Sequence, residues 1–229
     1  MSVPPFVLDP PATRVVFGAG TLHRVPDEVG QAGWRRLLFV HSGRDDAAAG
    51  AVRDGLAGRL AGEFTAVRPH VPVEVADAAA RAAVEVAADA VLCVGGGSVT
   101  GTAKAVALRT GLPIVAVPTT YAGSEVTAVW GITADGRKQT GTDPRVRPAV
   151  VVYDPELTAG LPAPVAAASG LNAVAHAVEA FWAPARTPVT GLYAAEAVRV
   201  LASGLPAVVA DGSDPDARSA TLFGSYLAG

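Results

Sequence analysis

The chain has 229 residues, 50% of them hydrophobic and 17% charged, with a formal net charge of −3. That length allows one large domain or two modest ones with a real core, and the mildly acidic balance excludes the basic footprint of a nucleic-acid binder. The single cysteine, Cys93, excludes an internal disulfide framework and fits a reducing compartment, so a cytoplasmic protein is expected. Met1 to Pro11 is proline-rich and lacks the basic and apolar regions of a signal peptide. No apolar run approaches about 20 residues, so no membrane span is expected.

Arg14 to Gly20 reads as a short strand closed by a glycine turn, and Thr21 to Gly30 as a short helix with Leu22, Val25 and Val29 near helical spacing. Arg35 to Val40 is the next strand, followed by the loop His41-Ser42-Gly43-Arg44. An alanine-rich helix is expected over Asp46 to Leu60, a strand over Phe64 to Val67, and an amphipathic helix within Pro72 to Ala88. Val91 to Val94 is a short β-branched run of the kind found in buried parallel strands. Ala103 to Leu108 continues as helix, ended by Gly111 and Pro113, and Pro113 to Pro118 is a further strand. Strand and helix alternate, which predicts a parallel, layered α/β domain. Thr119 to Thr127 is a loop dense in hydroxyls. Val129 to Thr133 and Ala149 to Asp154 read as strands on either side of a polar excursion, Asp135 to Arg147, that contains Arg137 and Lys138. From Leu157 onward strand signals vanish, and Pro164 to Trp182, Thr190 to Leu205 and Pro215 to Leu227 read as helices. Two domains follow: residues 1–156, an α/β parallel-sheet, Rossmann-like dinucleotide-binding domain, and residues 157–229, an all-α domain. No internal repeat is evident.

The join between the Val91–Val94 strand and the next helix is Gly95-Gly96-Gly97-Ser98. Three glycines leave backbone N–H groups uncovered, and the helix N-terminus adds partial positive charge, so the turn can seat a pyrophosphate. Ser98 is the expected N-cap. The pattern is not G-x-G-x-x-G, and on its own it is equally a sharp strand-to-helix turn. Ligands of such sheets sit at the carboxyl ends of strands. Ser42 to Arg44, Gly95 to Ser98 and Thr119 to Ser124 all fall there. Cys93, inside the buried strand, is expected to be inert filler.

Four motifs occur in order: Gly95-Gly96-Gly97-Ser98 leading to Ala103-Lys104; Pro118-Thr119-Thr120 leading to Gly123-Ser124-Glu125-Val126-Thr127; Tyr153-Asp154-Pro155; and Ser169-Gly170-Leu171-Asn172-Ala173 leading to His176 and Glu179. Together they resemble the iron-containing alcohol dehydrogenase and dehydroquinate-synthase-like superfamily, and within it the maleylacetate reductase branch. Three departures from the metal-dependent pattern point to that branch: Gly101 where those members carry an aspartate, Tyr121-Ala122 in the hydroxyl-rich loop, and Asn172 where they carry an aspartate that binds metal with a histidine four residues on. Asp and His one helical turn apart share a face and can bind one cation. Asn is a much poorer ligand, so the resemblance implies chemistry without a metal.

The resemblance further implies reduction of the carbon–carbon double bond of maleylacetate, a dicarboxylate, to 3-oxoadipate by NADH or NADPH in aromatic and chloroaromatic degradation. The cofactor would lie in a cleft between the domains. Ser42 would border its adenosine side, Gly95, Gly96, Gly97 and Ser98 its pyrophosphate, Thr119, Thr120, Ser124 and Thr127 its nicotinamide side, and Lys138 a ribose. His176 and Asn172 would be the catalytic pair, His176 orienting substrate or supplying a proton. A helix histidine that merely packs is the plain alternative. Arg44, Arg137 and Lys138 are candidates for anionic groups, against the commoner reading of solvated loop charges. The second strand ends without an acid before Asp45, which leaves room for NADPH beside NADH. Relatives continue with further helices and two more active-site histidines, so the helical domain is expected to be cut short and to expose Leu222, Phe223, Tyr226 and Leu227, and the 229-residue chain is expected to have little or no reductase activity. A homodimer is expected by analogy. Three competing readings are a metal-dependent alcohol dehydrogenase, a nucleotide-binding fragment without catalysis, and, more distantly, dehydroquinate synthase.

Overall fold

The structure, a computed structural model, describes residues 5–8, 12–43 and 46–229. The described chain forms two units. The sheet unit comprises Thr13–Thr119 and Ser124–Leu157, and the helical unit comprises Thr120–Gly123 and Thr158–Gly229 with the described N-terminal residues 5–8 and 12.

The sheet unit holds six parallel strands: β1 (Arg14–Phe17), β2 (Leu37–His41), β3 (Leu60–Phe64), β4 (Ala90–Gly95), β5 (Ile114–Pro118) and β8 (Val150–Tyr153), in the order β1-β8-β5-β4-β2-β3. Helices α1 (Val25–Gln31), α2 (Asp46–Gly55), α3 (Val73–Glu85) and α4 (Gly97–Thr110) connect them. One sheet face carries Leu37, Phe39, Leu92, Val94 and Val152, which form a core with Val25, Val29, Val52 and Leu56 of the α1 and α2 segments. Leu38, Val40 and Cys93 alternate to the opposite face, where α3 and α4 pack on one another and α4 packs on β4 and β5. Strands buried on both faces read as continuous apolar runs, which is why β2, β4 and β5 were legible. Each fully buried Val or Leu contributes about 1.5–3 kcal/mol.

The connectivity creates one reversal. From β2 the chain moves outward to β3, returns through α3 to β4 on the other side of β2, and continues through α4 to β5. The crevice at such a reversal, outside the carboxyl ends of β2 and β4, is where doubly wound sheets bind ligands.

Cys93 is fully buried, and burial pushes its thiol from 9.0 up to about 12. The folded state therefore keeps a proton that the unfolded chain releases as pH rises above 9, so stability is present below pH 9 and lost between about 9 and 12. Urea titrations across that range are expected to show a steeper alkaline decline for the natural chain than for Cys93→Ala. Equal slopes would overturn the assignment.

Several expectations are corrected. The Asp135–Arg147 excursion is mostly a β-hairpin: β6 (Val129–Ala134) pairs antiparallel with β7 (Arg137–Thr142). Its two-residue turn, Asp135-Gly136, has φ of +50° and +69°, as a primed hairpin turn requires. The hairpin lies on Val71, Ala76 and Ala105 through Ile132. The third strand is Leu60–Phe64, not Phe64–Val67, and α2 ends at Gly55. Gly58 at φ +86° breaks the helix, and pairing with β2 overrides the β propensity of Thr65 to Val67. Thr21–Arg24 is a 3-10 turn, and Pro26 opens α1 behind it. His41 ends β2 and is not in the loop.

The helical unit contains α5 (Ala163–Glu179), α6 (Pro188–Ala210) and α7 (Pro215–Ala228), with α6 packed against both others. α6 opens with a capping box between Thr187 and Thr190. It is also long and apolar enough to cross a membrane by composition, contrary to the expected absence of any such stretch. Its Ala194, Ala197, Leu201 and Leu205 are buried in the bundle. Leu222, expected to be exposed, is fully buried on α7, whereas Phe223 of the same helix is exposed.

Candidate functional site

Gly95 ends β4 at φ +150°, and a Cβ there would stand 2.6 Å from Cγ2 of Val99. Only glycine fits both the dihedral and the approach. Gly96, not Ser98, is the N-cap of α4, and Ser98 sits inside the first turn. The reason is geometric: Gly96 accepts the first amides of the helix, from Val99 at 3.0 Å and Thr100 at 3.1 Å. The amides of Gly97 and Ser98 precede every intrahelical acceptor, and no acid stands in this first turn. This is a side-chain-free anion cradle at a helix N-terminus. Thr119 closes its flank: its amide donates to the Gly95 carbonyl at 3.2 Å, and its residue is buried.

The loop after β5 is held from beneath by Lys104, a residue quoted in the motif but given no role from sequence. Its buried ammonium donates to the carbonyls of Ser124 (2.6 Å), Thr127 (2.9 Å) and Val129 (2.7 Å) and to Oγ1 of Thr127 (2.9 Å). Burial lowers Lys104 to about 8, opposed by the charge of Glu125. The buried Glu125 carboxyl accepts from the Tyr153 hydroxyl at 2.7 Å, and burial raises its pKa. The Thr127 hydroxyl accepts from Lys104 and donates to the Ser124 carbonyl, so it braces the loop. A lysine flanked by the buried Ala103 and Ala105 was the available signal.

Gly101 has its own reason. A Cβ there would meet Cγ2 of Val71 at 2.8 Å, so the aspartate of metal-dependent relatives has no room. Lys138 stands exposed on β7, opposite Thr133 near the hairpin turn, with its stem across Gly131. Ser42 follows β2 directly, at its carboxyl end. Arg44 lies outside the described residues, and Arg137 is exposed at the start of β7.

In the helical unit, the segment Thr120–Gly123 docks on α5 and α7. The Tyr121 amide donates to Oγ of Ser169 at 3.3 Å, its hydroxyl donates to Oγ1 of Thr158 at 3.0 Å, and its residue is fully buried. Gly123, at φ +72°, leaves 2.8 Å between a would-be Cβ and the Ser225 carbonyl oxygen. Asn172 donates through Nδ2 to the Ala122 carbonyl at 3.1 Å. An aspartate could not make that bond. His176 is exposed one turn further along α5, its ring with no hydrogen-bond partner among the described residues. No group of three metal-ligating side chains occurs among the described residues.

The structure thus gathers Gly95 to Ser98, Thr119, Ser124 and Thr127 in the sheet unit, and Thr120, Asn172 and His176 in the helical unit. A doubly wound sheet with a glycine cradle at its reversal, followed by a helical bundle, defines an α/β-plus-α protein with a candidate anion site. The iron-containing alcohol dehydrogenase family profile matches residues 12–155, and the C-terminal profile of the same family matches residues 166–229. The chain belongs to the iron-containing alcohol dehydrogenase family. It is 48% identical to the maleylacetate reductase of Sphingobium indicum over 98% of its own length and 63% of that protein. It superposes on the crystal structure of maleylacetate reductase from Rhizobium sp. strain MTP-10005 with a TM-score of 0.93, at 42% identity, covering 98% of this chain and 64% of that one. The sulfoacetaldehyde reductase of Bifidobacterium kashiwanohense, solved in complex with NAD+, superposes with a TM-score of 0.90 at 28% identity, over 97% of this chain and 65% of that one. The chain therefore spans slightly less than two thirds of these relatives' lengths.

Proposed function

We propose that this chain is part of an NADH- or NADPH-dependent reductase that converts maleylacetate to 3-oxoadipate. The observation that carries the reading is Asn172, bound to the Ala122 carbonyl within the helical unit, in a chain that has the Gly95 cradle in its sheet unit and is 48% identical to a maleylacetate reductase over 98% of its length. Residues 1–156 serve the dinucleotide and residues 157–229 contribute to the catalytic helical domain. The nicotinamide, when bound, supplies the hydride. The amides of Gly97 and Ser98 hold the pyrophosphate, and Gly95 keeps the approach open. Thr119, Thr120 and Ser124 line the nicotinamide side, with the Lys104 clamp fixing Ser124. Ser42 borders the adenosine and Lys138 a ribose.

Hydride addition to a conjugated alkene builds enolate charge that needs donors and a proton. His176 is free to turn toward a substrate and supply that proton, while Asn172 holds the Ala122 segment. A metal does not fit these residues: this face of α5 offers His176 and Glu179 but the Asn172 amide is engaged by a carbonyl, and no group of three metal-ligating side chains occurs among the described residues. The substrate is a small dicarboxylate, the assembly a homodimer by analogy, and the compartment the cytoplasm.

The second reading, a metal-dependent alcohol dehydrogenase, is favoured only by the family's iron-dependent members. Protein expressed from the complete reading frame, mixed with maleylacetate and NADH or NADPH, is expected to consume the reduced nicotinamide at a rate a chelator leaves unchanged. Turnover of an alcohol that appears only with added iron or zinc, with no response to maleylacetate, would overturn the proposal.

A further inference from the structure

The crevice between β2 and β4 has a glycine cradle on its β4 side. Its β2 side is built differently, from a histidine. His41 is the last residue of β2 and is 2% exposed. Its Nδ1 accepts the amide proton of Gly43 at 3.2 Å, and Nε2 stands 3.1 Å from Oε2 of Glu63 on β3. An Nδ1 that accepts leaves the ring proton on Nε2, so Nε2 donates to the Glu63 carboxylate. Arg53 of α2 grips the same carboxylate with two bonds, of 2.7 and 2.9 Å, and this holds Glu63 down at about 2. The imidazole also stacks on Phe39, with ring centroids 4.5 Å apart. Strand, neighbouring strand and helix therefore fix the ring from three sides.

Among the described residues this assembly reaches the β2–α2 connection through Nδ1, and the amide it takes belongs to a turn with Gly43 at φ +72°. The ring does for the turn what an Asx side chain does when it accepts the amide two residues on. We propose that His41 is a positioning residue for the adenosine end of the dinucleotide: the Arg53–Glu63–His41 relay locks the Ser42–Gly43 turn in the shape that borders the crevice opposite Gly95–Ser98. This inference rests on the dinucleotide reading above. It adds that the adenosine side is held through a histidine relay behind the turn.

The test uses the 229-residue chain and three variants. His41→Leu removes both bonds. His41→Gln keeps a polar link toward Glu63 without the Nδ1 acceptor, and His41→Asn keeps an acceptor for Gly43 without the link. ADP-ribose and reduced nicotinamide mononucleotide are titrated by calorimetry, and the Gly43 amide is followed by hydrogen exchange. His41→Leu and His41→Gln are expected to weaken ADP-ribose by about 2- to 10-fold, the worth of one hydrogen bond, to speed Gly43 exchange, and to leave the mononucleotide unchanged. His41→Asn is expected to restore both readouts only in part, and full restoration would show that the link to Glu63 is dispensable and overturn the relay. Binding of ADP-ribose by the natural chain with equal affinity in His41→Leu and His41→Gln would overturn this inference alone, as would equal weakening of both ligands. Failure of the natural chain to bind ADP-ribose would overturn the dinucleotide reading and the inference with it.

Discussion

Gly95→Ala is expected to abolish dinucleotide binding and to destabilise the sheet unit. A β-carbon at this position would stand 2.6 Å from Val99 Cγ2 and 2.9 Å from its Cβ, and the backbone is held at φ +150°. The dihedral strain costs about 1–3 kcal/mol, and forcing atoms into a filled site costs about 1–3 kcal/mol more. Val99 cannot swing away cheaply, because it lies in the first turn of α4 and is 3% exposed. Relief would come from rotating the Gly95–Gly96 peptide, which also turns the cradle amides aside. The double variant Gly95→Ala, Val99→Ala removes the two Cγ contacts but leaves the Cβ at 2.9 Å and the dihedral, so it should recover part of the stability without recovering binding. Calorimetric titration of NADH and urea unfolding of both variants check this. Full affinity in the single variant would remove Gly95 to Ser98 from the proposed site.

Lys104→Met is expected to cost about 3–5 kcal/mol, the range for breaking a buried charged interaction from one side. Two effects oppose each other. Methionine avoids the desolvation of a buried ammonium, which is what lowers Lys104 to about 8. Against that, the carbonyls of Thr127 and Val129 lose their donor, at about 1–3 kcal/mol for each group left unsatisfied, while the Ser124 carbonyl and the Thr127 hydroxyl keep each other as partners. Two orphaned carbonyls, together with the lost brace on the loop, outweigh one desolvated charge. The loss should concentrate in Ser124 to Val129, with faster amide exchange there than in β4. A change below about 1 kcal/mol would mean that the ammonium's desolvation cancels its bonds.

Lys104 has a pH signature as well. Its folded pKa, about 8, lies below the unfolded 10.5, so its contribution to stability is present above 10.5 and lost as pH falls through 8. That runs opposite to Cys93 between 9 and 10.5. Single replacements of each residue therefore separate two trends that partly cancel in the natural chain.

What could be read from the sequence follows from how local each signal is. The parallel core was legible because β2, β4 and β5 are buried on both faces and carry uninterrupted apolar runs. The glycine turn was legible because its residues do their work without side chains. The hairpin was hidden by its composition: β7 is Arg-Lys-Gln-Thr-Gly-Thr and mostly exposed, so no alternation marks it, and only Asp135-Gly136 gave it away. β3 was displaced because Leu60 to Phe64 contains Gly62 and Glu63, and its identity is set by pairing with β2. The N-cap was misassigned to Ser98, two residues past Gly96, since glycine caps adequately where nothing else fits. Leu222 was misjudged because its burial depends on a partner helix. Lys104, Glu125 and Tyr153 were invisible as a group, since residues 104, 125 and 153 converge only through tertiary contact. The His41 relay is of the same kind, joining β2, β3 and α2.

The four residues Thr120–Gly123 belong to the helical unit, while the chain on either side belongs to the sheet unit. Their anchors, Thr158, Ser169, Asn172 and Ser225, come 37 or more residues after the residues they hold. On a ribosome this segment emerges well before anything it can bind. It must wait, tethered at both ends to an already foldable sheet, until the bundle arrives. Cleavage after Leu157 would thus yield two pieces of which neither is whole: one keeps a tyrosine with nowhere to go, the other a socket without its occupant. Recombination between family members at that junction should succeed only when Thr120–Gly123 is exchanged together with the helices it serves.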